Sequence, residues 1–137
     1  MKAIRLIALA ACMAATLDAS AQEQEIRLFS HRGGRMEHDE NTLSAFQASY
    51  DAGYRGFETD IRMTRDGALV ITHDSSLERT TDGTGTVEEK TEAEIRRLRT
   101  KQGNKVLFLD ELLEFLEGKE GLYVEFEMKT HPAALYP

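Results

Sequence analysis

Glu58-Thr59-Asp60 sets two carboxylates at i and i+2 of a β-prone run, Gly56 to Met63, so both would point to one face of a strand. Glu127-Met128-Lys129 repeats that geometry around a second run, Leu122 to Met128, with a carboxylate and an ammonium. Alternation alone leaves two readings open. Phe57, Thr59 and Ile61 alternate with Glu58, Asp60 and Arg62 as they would in a half-buried strand whose polar face is simply solvated. In a parallel sheet covered on both faces, the same carboxylates would be costly unless paired or bound to a cation. Three of them near strand C-terminal ends would make a hard-oxygen site suited to Mg²⁺ or Ca²⁺. His31 follows the first β-prone run and His73 ends the run Ala68 to Thr72, the positions at which a barrel enzyme places its catalytic groups. Near-neutral titration suits both to acid–base work. Arg32 could form a bidentate contact to phosphate oxygens, and Lys129 could offset substrate charge. His38 and His131 have no comparable setting.

The elements that must carry these groups alternate between strand-like and helix-like segments. Ile26 to Ser30 is a short β-prone run that ends at the loop signal His31-Arg32-Gly33-Gly34. Asn41 or Thr42 can cap a helix with apolar positions Leu43, Phe46 and Tyr50, which Gly53 closes. Asp66-Gly67 is a turn between Gly56–Met63 and Ala68–Thr72. A polar excursion then runs from Asp74 to Gly85. Its Asp82-Gly83-Thr84-Gly85-Thr86 lacks the Lys-Ser/Thr ending of a phosphate loop and reads as a mobile turn. Thr91 and Glu94 form a capping-box pattern ahead of Ile95 and Leu98, and Asp110 can cap a last helix that Gly118 stops. This order is the grammar of an α/β protein with parallel strands.

Bulk properties narrow the partners. The chain has 137 residues and a net charge of -7, which disfavours a nucleic-acid binder held by phosphate-backbone attraction and leaves small anionic substrates open. Residues 1–21 read as a signal peptide: Lys2 and Arg5, then an apolar stretch Leu6 to Leu17, then Ala19-Ser20-Ala21 before Gln22. The apolar stretch is too short to span a bilayer, which takes about 20 residues. Export to a bacterial periplasm or the exterior is expected, with lipoprotein anchoring through Cys12 the lesser alternative. Cys12 is the only cysteine, so a metal would rest on oxygen or imidazole ligands. A closed (β/α)₈ barrel takes about 250 residues, so residues 22–137 are expected to be only the N-terminal part of such a domain, without the C-terminal half of the barrel.

Taken together, His31-Arg32-Gly33, Glu40-Asn41-Thr42, Glu58-x-Asp60, Asp66-Gly67, His73-Asp74, Leu77 to Gly85 and Glu127-x-Lys129 resemble the glycerophosphodiester phosphodiesterase family. The resemblance runs from about Leu28 to Lys129. It implies a TIM barrel with a small insertion after the second strand, holding the region around His73. It also implies a divalent ion, Ca²⁺ or Mg²⁺, on Glu58, Asp60 and Glu127, with His31 and His73 as the acid–base pair. Lys129 would join the catalytic residues and, with Arg32, lie near the phosphate. The reaction implied is metal-dependent hydrolysis of a glycerophosphodiester to glycerol 3-phosphate and an alcohol, a step of phospholipid metabolism. A phospholipase D-like member of the same superfamily and an inactive truncated binding protein are the competing readings. Two departures fall away from the residues implied to touch the ion and the phosphate: Asp39 stands where a proline often precedes Glu-Asn-Thr, and a proline common near Leu107 is absent. Altered loop geometry is expected there, with the chemistry intact.

Overall fold

A computed structural model describes residues 27–130. The signal segment, Cys12, Ile26 and His131 lie outside the described residues. In chain order the elements are β1 (Phe29–His31), α1 (Leu43–Asp51), β2 (Gly56–Met63), β3 (Leu69–Ile71), a 3₁₀ turn (Val87–Glu89), α2 (Glu92–Ile95), α3 (Leu109–Leu116) and β4 (Tyr123–Met128).

β2 is the axis of the sheet. It pairs in parallel with β1, His31 opposite Glu58, and in parallel with β4, Asp60 opposite Glu127. β3 pairs with β2 antiparallel, Ile61 opposite Ile71, which departs from the all-parallel expectation. The reason is length: the Asp66-Gly67 turn can join a hairpin, whereas a parallel return needs a crossover of a dozen or more residues. The edges follow from the carbonyls. Glu58 O accepts from Arg32 N at 2.9 Å and Asp60 O from Thr72 N at 3.0 Å, so β1 and β3 share one edge of β2, end to end. Ile61 O accepts from Lys129 N at 2.8 Å on the opposite edge, beside β4. The ends of β1, β3 and β4 thereby meet along the C-terminal half of β2.

Two apolar clusters hold this frame. Phe57 and Ile61, on one face of β2, pack with Phe46 of α1, Leu112 of α3, Ile71 and Leu107. Phe46 and Phe57 meet edge to face, centroids 5.6 Å apart. The second cluster, Val70, Leu77, Val87, Ile95, Val106 and Phe108, fills a wider excursion from β3 to the start of α3, of which Asp74 to Gly85 is one part. That excursion is the expected insertion, with a core of its own. Its glycine turn is tied down: Asp82 Oδ1 accepts from Arg99 N at 2.9 Å, Glu78 Oε1 accepts from Gly85 N at 2.8 Å, and a Cβ on Gly83 would meet Leu98 Cδ1 at 2.5 Å.

Local signals decide the helix starts. Thr42 Oγ1 accepts from Ala45 N, so Thr42 caps α1 and Asn41 is released for other contacts. Thr91 and Glu94 form the capping box, though α2 is a single turn and ends before Leu98. The expected cap at Asp110 is corrected to Phe108: Glu111 Oε2 accepts from Phe108 N at 3.1 Å, while Asp110 pairs with Arg96. Phe57→Ala should cost about 3–5 kcal/mol of stability, because the ring is fully buried and its neighbours come from three elements. Urea unfolding of parent and variant measures it.

Candidate active site

The polar face of β2 is covered rather than solvated. Asp60 is 0% exposed at the middle of the sheet. Two cations flank it: Arg32 Nε lies 3.1 Å from Oδ2, and Lys129 Nζ lies 3.4 Å from Oδ1. Asn41 Nδ2 donates to Oδ2 at 3.1 Å, and Thr59 Oγ1 donates to Asn41 Oδ1 at 3.0 Å, fixing the amide orientation. The reach to Asp60 requires unusual backbone. Arg32 and Asn41 are the non-glycine residues with positive φ among those described, 53° and 57°, and Asn41 N donates to Arg32 O at 2.9 Å. Such conformations cost about 1–3 kcal/mol each and persist where surrounding contacts impose them. Gly33 completes the turn at φ 75°, where a Cβ would lie 2.9 Å from Ala45 Cβ and push the loop off α1.

Glu58, Asp60 and Glu127 each offer an oxygen within 4.8 Å of the others. Burial, followed by the Asp60 charge, raises the Glu58 carboxyl above its ordinary range, with His31 and Arg32 opposing. The hydrogen bond from Lys129 lowers Glu127, whose Oε1 sits 2.6 Å from Lys129 Nζ. Glu127 also supplies the pairing that raises Lys129. Asp60 Oδ1 is buried and makes no hydrogen bond. Three hard oxygens, one of them buried without a hydrogen bond, fit a divalent cation, which would relieve the repulsion felt by Glu58.

The two histidines reach this face from different strands. His31, half exposed, lies with Nε2 3.5 Å from Glu58 Oε2. His73 emerges after β3 with Nδ1 2.6 Å from Asp74 Oδ1, and it adds, after Lys129, to the lowering of the Glu127 carboxyl. Its backbone carbonyl accepts from Arg62 Nε at 2.8 Å. Arg62 is held by Glu88, which also accepts from Ser75 Oγ and Thr130 Oγ1, so the insertion, β2 and the end of β4 share one carboxylate. All the sequence-derived site residues thus gather at one end of the sheet.

Arg32 is placed differently from the expectation of a two-nitrogen grip on phosphate. Its Nε faces Asp60 and its Nη1 donates to Glu40 at 3.2 Å, which leaves Nη2 for an anion. Asp39, in the place of a proline, accepts from Asn104 Nδ2 at 3.1 Å and so joins the loop to the insertion. Glu40, Asp74 and Arg79 had no assigned task in the sequence, where they stood only as members of a pattern, and Asn41 stood there only as a candidate helix cap. The signal available for Asn41 was its place immediately before a better cap, Thr42.

Arg79, followed by His73, holds Asp74 down to a pKa of about 2, below an unfolded value of about 3.9. A depressed carboxylate stabilises the fold above its unfolded pKa, and that contribution disappears as pH falls toward the folded one. Between pH of about 4 and about 2, urea unfolding should show a smaller loss of stability for Asp74→Asn than for the parent.

The sequence matches the model of the glycerophosphoryl diester phosphodiesterase family over residues 31–135. It is 35% identical over 117 residues to a glycerophosphodiester phosphodiesterase of Caldanaerobacter subterraneus subsp. tengcongensis, covering 80% of this chain and 47% of that one. It is 35% identical over 114 residues to glycerophosphodiester phosphodiesterase 1 of Homo sapiens, covering 77% and 34%. The chain therefore spans under half the length of these curated relatives. Among solved structures, a glycerophosphodiester phosphodiesterase from Agrobacterium tumefaciens superposes with a TM-score of 0.70 at 34% identity, covering 76% of this chain and 47% of that one. A phosphodiesterase from Oleispira antarctica, solved with the product sn-glycerol-3-phosphate, gives 0.70 at 30% identity, covering 76% and 44%. These neighbours are (β/α)₈ barrels, and the described residues form an α/β portion of that fold.

Proposed function

Because the chain belongs to the glycerophosphoryl diester phosphodiesterase family, we propose that the full-length protein hydrolyses glycerophosphodiesters to glycerol 3-phosphate and an alcohol, within phospholipid turnover. The observation that carries this reading is the carboxylate trio: Glu58, Asp60 and Glu127 converge within 4.8 Å beside two cations, with one buried oxygen of Asp60 lacking a hydrogen bond. They would hold a divalent ion, Mg²⁺ or Ca²⁺ by the hardness of the donors. Such an ion would supply Lewis-acid polarisation of a phosphoryl oxygen and stabilisation of developing negative charge.

The protein's own groups do the remaining work. Lys129 Nζ and Arg32 Nη2 supply positive charge for the phosphate, and Arg32 also keeps the Asp60 carboxylate in place. His31 and His73 act as the acid–base pair, one removing a proton from the attacking oxygen and the other protonating the departing alcohol. The Asp74 carboxylate accepts from His73 Nδ1, which leaves Nε2 as the nitrogen that exchanges the proton. Glu58, beside His31, stabilises that ring when it carries charge. The basic and apolar amino-terminal segment ending at Ala19-Ser20-Ala21 supports export before the enzyme acts. Among the described residues no helix is long and apolar enough to cross a membrane.

With glycerophosphocholine as substrate, the full-length protein should release glycerol 3-phosphate in a reaction that EDTA stops and Mg²⁺ or Ca²⁺ restores. His31→Ala should reduce kcat about 10²–10⁴-fold, the usual contribution of a positioned acid or base. Enzymatic assay of glycerol 3-phosphate measures both. Release that is indifferent to EDTA, or a His31→Ala variant as fast as the parent, would contradict the assignment.

A further inference from the structure

His73 and Asp74 open the excursion that runs from Asp74 to the 3₁₀ turn at Val87, where no long helix or strand fixes side-chain direction. A chain of ion pairs takes that role. Asp74 Oδ1 binds His73 Nδ1, and Asp74 Oδ2 accepts from Arg79 Nε. The fork of the same guanidinium grips Glu40 in bidentate fashion, Nη1 to Oε2 at 3.0 Å and Nη2 to Oε1 at 2.7 Å. Glu40 Oε1 also accepts from Arg32 Nη1 at 3.2 Å, and Arg32 Nε faces Asp60. An unbroken series of contacts therefore leads from the imidazole to the buried carboxylate at the centre of the sheet, joining residues 40 and 79 across two loops.

Exposed ion pairs usually contribute little, but bidentate geometry and membership of a network are the conditions under which they matter. Both hold at Arg79. Three of its nitrogens are engaged by two carboxylates from different loops, a task that a single ammonium cannot perform. Glu40 is nearly buried, with its side chain 13% exposed, and receives both arginines. Arg79, followed by His73, holds the Asp74 carboxylate well below the ordinary range and keeps it anionic, ready to accept from the ring, while Glu40 holds Arg79.

We propose that Arg79 and Glu40 are positioning residues for His73: Glu40 anchors Arg79, Arg79 fixes the Asp74 carboxylate, and that carboxylate keeps the imidazole proton on Nδ1 so that Nε2 is free. This assignment rests on the reading of His73 as one of the acid–base pair. Glu40, through its second contact, also sets Arg32 against Asp60, so Glu40 and Arg79 differ in what they control. Arg79 touches the branch that leads to the proton-transferring ring and reaches Arg32 only through Glu40. Glu40 acts on the ring and on the cation beside the phosphate.

The test uses the full-length protein, with imidazole ¹⁵N spectra of His73 assigned by loss of its signals in His73→Gln. The parent should show the neutral ring protonated on Nδ1, whereas Arg79→Ala should show a mixture of tautomers. In the glycerophosphocholine assay Arg79→Ala should lower kcat about 10- to 100-fold with KM little changed, the size of effect typical of an orienting partner. Added guanidinium ion should restore part of that loss. Glu40→Gln should lower kcat and raise KM together. Should Arg79→Ala fold poorly, Arg79→Lys is read by the same two measurements and should resemble Arg79→Ala in both. An unchanged His73 tautomer in the Arg79 variant overturns the proposal, whether or not kcat falls, and so does an unchanged kcat. A parent that releases no glycerol 3-phosphate overturns the acid–base reading instead, while the tautomer comparison still decides whether Arg79 orients the ring.

Discussion

The burial of one carboxylate, Asp60, governs this end of the molecule. A fully enclosed ionised side chain is tolerated only when opposite charge and hydrogen bonds surround it. Here Arg32 comes from the turn after β1, Asn41 from the approach to α1, and Lys129 from the end of β4. Removing one partner of such a buried pair typically costs about 3–5 kcal/mol. Asp60 therefore ties three separate stretches of chain to the middle strand. The left-handed backbone at Arg32 and Asn41 is the local cost of that arrangement, since both side chains must turn back toward β2.

The same constraint orders what lies around it. Because β1 and β3 occupy one edge of β2 end to end, His31 arrives opposite Glu58 from one direction, and Thr72, just before His73, bonds the Asp60 carbonyl from the other. β4 brings Glu127 opposite Asp60 from the other edge. The insertion is more than a decoration: its own apolar cluster gives it rigidity, and Glu88 fastens it to Arg62 and Thr130. The buried apolar side chains Phe57 and Ile61 fix β2 against α1 and α3, so the polar face is held still by packing on its reverse.

Much of this was legible in the sequence, and the limits are physical. The i, i+2 spacing put Glu58 and Asp60 on one face, and capping chemistry located α1 and α2, because both signals are local. The direction of β3 was written in the Asp66-Gly67 turn, though the general α/β rhythm argued for parallel pairing. Asp110 misled as a cap because Glu111, reaching back from the third helical position, satisfies the Phe108 amide instead. Periodicity could not tell a solvated strand face from a buried one, since that depends on what folds over it. The link from Glu40 to Arg79 spans loops whose approach is set by tertiary packing, and no spacing rule announces it. Family resemblance supplied the substrate class, which residue spacing alone left at a hard-metal site.

The most direct measurement is calorimetric titration of Mg²⁺ and of Ca²⁺ into the full-length protein, with Asp60→Asn and the exposed, isosteric Glu127→Gln alongside. Circular dichroism confirms that the variants are folded. Saturable binding at one site in the parent, lost in Asp60→Asn and weakened in Glu127→Gln, is the result that the carboxylate trio requires. Binding of equal strength in the parent and in both variants would place the ion elsewhere and contradict it.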